Sequence, residues 1–155
     1  MSSQLVTFTL AGARFGIDMF RVHEALRGQA RTTIPLSEPA VAGFINLRGQ
    51  VVLTIDLRIR LGIAAPAAGL EPMMLVVQVD SELVSLLVDE VGDVIDVQAM
   101  VLEAPPGTVP ACLREVMLGL YQLSDGLLLA LDLDRAVGAG ANLPLHTPHS
   151  TRRTP

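Results

Sequence analysis

The segment Gly43-Phe44-Ile45-Asn46-Leu47-Arg48-Gly49-Gln50-Val51-Val52-Leu53-Thr54-Ile55 decides the fold class. Its first half is apolar and runs into a turn at Arg48-Gly49-Gln50. Val51 to Ile55 is a run rich in β-branched residues and reads as a buried strand. Asp56 then stands where a carboxylate caps a short helix, Leu57 to Leu61, which Gly62 stops. Strand, tight turn, strand and a single helical turn within twenty residues is the grammar of a small β-barrel or sandwich.

The flanks are written in the same way. Upstream, Val6, Phe8 and Leu10 alternate along one strand. Ala11 to Arg14 form a turn, and Phe15 to Met19 alternate again to complete a hairpin. Phe20 to Leu26 is ambiguous: Val22, Glu24 and Leu26 alternate, with room for one helical turn before them. Residues 27–43 are punctuated as a loop by Gly28, Pro35, Pro39 and Gly43. Downstream, Ala64 to Gly69 is a low-complexity connection. Met73–Val79, Leu83–Val88 and Val91–Val97 read as strands, and residues 103–115 as a Pro-rich loop. Gly119–Leu123 and Leu127–Leu131 form a hairpin around Ser124-Asp125-Gly126, and Asp132 caps a brief helix, Leu133 to Val137. Nine or ten short strands are too many for one small barrel, so the expected fold is all-β, two small barrels packed together with short helical turns.

Composition narrows the function. Half of the 155 residues are hydrophobic and 3% are aromatic, so a core of Val, Leu, Ile, Ala and Met is expected. Charges interrupt every apolar stretch before the ~18 residues that a spanning helix needs, and the first residues lack the pattern of a signal peptide. The single Cys112 fits a reducing, cytoplasmic setting. Residues 1–79 carry seven Arg and five acids, residues 80–135 eleven acids and two Arg, and the remainder only Arg152 and Arg153; there is no Lys. An acidic second half disfavours nucleic acid and favours oriented docking to proteins.

The motifs also carry a family resemblance. Phe8-Thr9-Leu10, Phe15-Gly16-Ile17-Asp18 and Val22-His23-Glu24 are followed by the Gly43–Val52 segment, then by Ile55-Asp56-Leu57-Arg58, Val88-Asp89-Glu90-Val91 and Leu127 to Asp134. In this order, over about residues 5 to 137, they resemble the CheW-type chemotaxis coupling proteins. The hybrid CheV type and the CheA regulatory domain are set aside because both come with further domains. The resemblance implies two intertwined five-stranded SH3-like barrels over residues 1–140, with a flexible tail at 141–155. It also implies a non-enzymatic adaptor, without cofactor or metal, coupling the cytoplasmic tip of a chemoreceptor (a methyl-accepting chemotaxis protein) to the regulatory domain of a CheA-type histidine kinase. Such an adaptor is cytoplasmic and recruited to membrane-associated receptor arrays. The alternative is a CheW-like adaptor serving surface motility or another non-flagellar output. Leu53 stands where the family often has Pro, the loop from Gly28 to Thr33 is idiosyncratic, and the acidic bias of residues 80–135 suggests a particular kinase partner.

By that resemblance the receptor-binding residues are Arg48, Val22, Glu24, Asn46 and Gly43. Arg48 projects from a turn and offers planar, bidentate pairing; read from sequence alone, the plainer reading is that it solvates the turn or braces the chain, and the resemblance reverses that order. Val22 and Glu24 alternate, so both can face one side of a strand as a mixed patch; the plainer reading is one buried valine and one solvated Glu. Gly43 is expected to serve backbone geometry. Asp89, Glu90, Asp93 and Asp96 read as a solvated acidic face rather than a metal or acid–base site, because no His, Cys or Asn accompanies them with a ligand spacing. His23 and Cys112 lack catalytic companions. Kinase-contact residues are not singled out.

Overall fold

The computed structural model describes residues 3–27, 30–33, 35, 38–63 and 71–138. The low-complexity connection, part of the loop after residue 27 and the expected tail at 141–155 lie outside the described residues.

Ten strands form two five-stranded sheets. The first hairpin is β1 (Gln4–Leu10) and β2 (Ala13–Asp18). Then comes a single 3-10 turn, Met19–Arg21, which Asp18 caps by accepting from the Phe20 N–H at 3.0 Å. The chain passes into β3 (Val22–Arg27), β4 (Val41–Leu47), β5 (Gln50–Asp56), a short helix α1 (Leu57–Arg60), β6 (Met73–Val79) and β7 (Glu82–Val88). These five strands make one sheet in the order β3-β6-β7-β5-β4. The chain then returns to the first hairpin with β8 (Glu90–Asp96), α2 (Ala111–Arg114), β9 (Met117–Leu123), β10 (Gly126–Leu131) and α3 (Leu133–Gly138). The other sheet has the order β8-β1-β2-β10-β9, so the second unit is inserted within the first.

Three cores explain why two sheets of this length are stable. Alternating side chains of β1 and β2 (Phe8, Leu10, Phe15, Ile17) meet Ile55, Leu75, Val77, Val84 and Leu86 of the other sheet in one large core between the units. Phe8 and Phe15 stack there with centroids 5.7 Å apart and planes 13° from parallel. On its opposite face, the β3–β7 sheet builds a second core from its own Ile45, Leu47, Val52, Met74, Val76 and Leu87. The first sheet does likewise with Leu5, Leu128 and Ala130, joined by Val97. A sheet buries both faces with its own residues on one of them only by curling, so each unit is a small barrel.

Several sequence expectations need correction. The Pro-rich stretch 103–115 contains the one-turn helix α2. Residues 20–26 resolve into the 3-10 turn and β3. The buried run 51–55 starts one residue late, since Val51 is 67% exposed. Val22 and Glu24 do not share a face: a register shift opposes Val22 to Val77 of the inter-barrel core and Glu24 to Val76 of the second core, so His23 is an extra residue in a bulge.

Candidate functional site

The candidate residues cluster where the second barrel closes. β3 and β4 lie at opposite ends of their sheet, so a seam remains between them. Among the described residues, a backbone pairing and an ion pair bridge it. Thr32, on the segment leaving β3, exchanges backbone hydrogen bonds with Phe44 of β4 at 2.9 and 2.8 Å. Glu24 of β3 pairs with Arg48 of the β4–β5 turn through both guanidinium terminal nitrogens, one of them at 3.4 Å from Oε1.

The turn dictates where Arg48 points. Leu47 opposes Gln50, leaving a two-residue hairpin loop, and Arg48 and Gly49 have φ of 50° and 88°. Both central residues at positive φ make the turn type I′, whose twist matches that of the strands. Gly49 takes this conformation without strain and Arg48 does not, so other contacts must hold Arg48 there. Asn46 supplies one, its Oδ1 accepting the Gly49 N–H at 2.8 Å. The Arg48 side chain stays exposed, and the Glu24 carboxyl, hydrogen-bonded by it, lies below its ordinary pKa despite the opposing effect of desolvation. Arg48 is raised in return by the same bond.

The structure thus brings Arg48, Glu24 and Asn46 together and gives Gly43 and Val22 other duties. Gly43, at φ 129°, lies beside Thr32, and an added Cβ would run into the Thr32 carbonyl oxygen. Its role is to let the loop approach β4. Val22 packs on the inter-barrel core. The bracing role of Arg48 is therefore present in the fold. Val51, opposite Asn46 on β5, adds an exposed apolar side chain beside the turn. Its position in a β-branched run disguised it; only its place at the strand end, next to the turn, pointed to exposure.

The acidic run is not a uniform solvated face. Asp89 accepts from Arg58 (Nε–Oδ1 2.9 Å, Nη2–Oδ2 2.5 Å) and from the Ala11 N–H at 2.8 Å. Arg58 is only 8% exposed. The guanidinium of Arg58 holds the Asp89 carboxyl below the usual range, with the Ala11 N–H assisting and partial burial opposing. Since Ala11 lies in the first barrel's β1–β2 turn and Arg58 on α1 of the second, Asp89 staples the two barrels together. Glu90 reaches Arg27 at 3.4 Å across the surface. Among the described residues no three His, Cys, Asp or Glu side chains gather as a metal site. No helix of the described residues is long and apolar enough to cross a membrane.

Two curled sheets sharing a core, with ion pairs at the seam of the second barrel and between the barrels, form a double-barrel body. The CheW-like domain profile matches residues 4–140, and the chain belongs to that family. It is 28% identical over 131 residues to "Chemotaxis protein CheW" of Rhizobium meliloti, covering 84% of each chain. To the protein of the same description in Klebsiella aerogenes it is 26% identical over 140 residues, 90% of this chain and 84% of that one. The crystal structure of the scaffolding protein TtCheW from Thermoanaerobacter tengcongensis superimposes with a TM-score of 0.79 at 27% identity, covering 94% of this chain and 99% of that one. The two intertwined barrels expected from the sequence are those of this structure.

Proposed function

We propose that this chain is a non-enzymatic chemotaxis adaptor joining the cytoplasmic tip of a chemoreceptor to the regulatory domain of a CheA-type histidine kinase, working in the cytoplasm at membrane-associated receptor arrays. The observation that carries the reading is the likeness of the whole double barrel, at 0.79 over 99% of its chain, to a scaffolding protein. The mechanism follows from rigidity. One body with a shared core presents two surfaces at a fixed angle, so a change of receptor state biases the kinase by differential contact energy, typically ~1–3 kcal/mol. The receptor face is assigned to the seam of the second barrel: Arg48, Glu24 and Asn46, with Gly43 shaping the strand and Val22 beneath. Weak single contacts gain strength from many-fold assembly.

The test is a titration against a receptor cytoplasmic fragment and against the kinase, with three proteins side by side. Wild type is expected to bind both. Arg48→Glu is expected to lose about tenfold or more in receptor affinity and none toward the kinase. The exchange variant Glu24→Arg/Arg48→Glu rebuilds the pair with its polarity inverted and is expected to remain receptor-deficient, because Arg48 acts outward. If the exchange restores receptor binding, Arg48 serves only to brace the seam. If wild type folds and binds neither partner, the coupling function is wrong.

A further inference from the structure

The two barrels repeat one another in their pairing. β6, β7, β3, β4 and β5 are joined as β1, β2, β8, β9 and β10 are, down to the parallel pair and the places where the register shifts. Asp56-Leu57-Arg58 opens the helix after β5 as Asp132-Leu133-Asp134 opens the helix after β10. Equivalent positions can therefore be compared across the molecule, and the comparison singles out the two places where the chain passes from one sheet to the other. These are Met19–Arg21, between β2 and β3, and Asp89, between β7 and β8.

Each crossover is tied in the same three-part way. Leaving the second barrel, Asp89 pairs with Arg58, the second residue of α1, and its amide donates to the Thr9 carbonyl of the first barrel's hairpin at 3.0 Å. Leaving the first barrel, Arg21 pairs with Asp134, the second residue of α3, through both terminal nitrogens at 2.6 and 3.4 Å. The Arg21 Nε–H donates to the Gln78 carbonyl of the second barrel's hairpin at 2.9 Å. Thr9 and Gln78 hold the same place, each the last residue but one of its strand. Arg58 and Asp134 hold the same place too, so the charges are inverted: the helix supplies the cation in one tie and the anion in the other. The ties also differ in exposure. The side chains of Arg58 and Asp89 are 10% and 24% exposed, those of Arg21 and Asp134 30% and 61%. Solvent and salt weaken an exposed ion pair far more than a shielded one.

We propose that Arg58–Asp89 and Arg21–Asp134 are matched latches that fix the angle between the barrels, and that the Arg21 latch is the one that releases, the barrels then pivoting about the Asp89 crossover. The shared core keeps that pivot small, and the molecule has one yielding side and one firm side. This holds whichever partners the two barrels meet.

The experiment uses the full chain, isotopically enriched, with two NMR readouts. Exchange of the Arg21 and Arg58 Nε–H protons with water reports each latch directly. Residual dipolar couplings of backbone amides in a neutral stretched gel report the angle, because barrels held rigidly share one alignment tensor. Raising salt from about 0.1 to 1 M shortens the screening length from about 10 to 3 Å. Over that range Arg21 Nε–H exchange is expected to accelerate about tenfold, and that of Arg58 less than about twofold. The barrels are expected to share one tensor at low salt and to align unequally at high salt and in Asp134→Asn. Arg21→Asp/Asp134→Arg rebuilds the ion pair but leaves the Gln78 carbonyl without its donor, so unequal alignment is expected there as well. The salt series needs no variant, so a variant that fails to fold leaves the test intact. Equal acceleration of the two Nε–H signals overturns the ranking of the latches. A single tensor in every sample overturns their control of the angle, and rescue by the exchange variant overturns the three-part latch.

Discussion

Arg58 and Asp89 show how a motif can be structural while reading as something else. Both belong to segments that carry the family resemblance, and Asp89 sits in a run of acids that looks solvated. Nothing local announces that its partner stands 31 residues earlier or that the Ala11 amide comes from the other barrel. Removing the guanidinium strands a partly buried carboxylate. Arg58→Ala is therefore expected to cost about 3 kcal/mol, the low end for a broken buried pair because Asp89 keeps some solvent contact. Urea denaturation measures it. The pair also sets a pH dependence. The folded Asp89 carboxyl lies below its ordinary 3.8, so its stabilisation is complete above that value and is lost as the pH falls through the lower, folded one. Asp89→Asn is expected to be less stable than wild type at neutral pH and to show a smaller further loss on acidification below about pH 4, read from denaturation midpoints over that range. Arg48 was legible as a projecting side chain. Its intramolecular partner was not, because the β3–β4 seam exists only after the sheet curls.

At the scale of elements, period-2 alternation located the strands because each barrel strand faces a core on at least one side. The helix after β5 was equally plain: Asp56 accepts from the Arg58 and Ile59 N–H groups at 3.0 and 3.3 Å. Asp56→Ala is expected to cost about 1 kcal/mol, checked by thermal unfolding. The helix α2 escaped notice because Pro110 offers it no side-chain cap and four residues carry little periodicity. The bulge at His23 was hidden too, since alternation in sequence cannot show where a ladder slips by one. Gly43 belongs to this scale. Gly43→Ala meets both the positive φ and the Thr32 carbonyl, and roughly 2–3 kcal/mol is expected. Hydrogen exchange at the Phe44 amide, which donates to Thr32, should accelerate more than at amides of β7.

For the molecule as a whole, the decisive feature is that one core serves both barrels. Leu86, 1% exposed on β7, packs in the core that also holds Phe8 and Phe15. Leu86→Ala is expected to cost about 2–5 kcal/mol and to lower exchange protection in β1 and β2 as well as in β7, which two independent domains would not do. Strand number was readable from turn signals, but strand order was not. The parallel pairing of β2 with β10 joins Arg14 to Leu128, and no local pattern specifies so distant a neighbour. That pairing has a consequence during synthesis. β3 to β7 are contiguous and have all their sheet partners as soon as β7 leaves the ribosome. The opening hairpin, by contrast, emerges first and must wait for β8 and β10. At ~5–20 residues per second, the interval between completing Asp18 and completing Leu131 is roughly 6–23 s. Throughout it, Phe8, Phe15 and Ile17 lack the first barrel's remaining strands, so the first hairpin of the fold to be made is the last to be enclosed, and nascent protein is most vulnerable to chaperone capture or aggregation at β1 and β2.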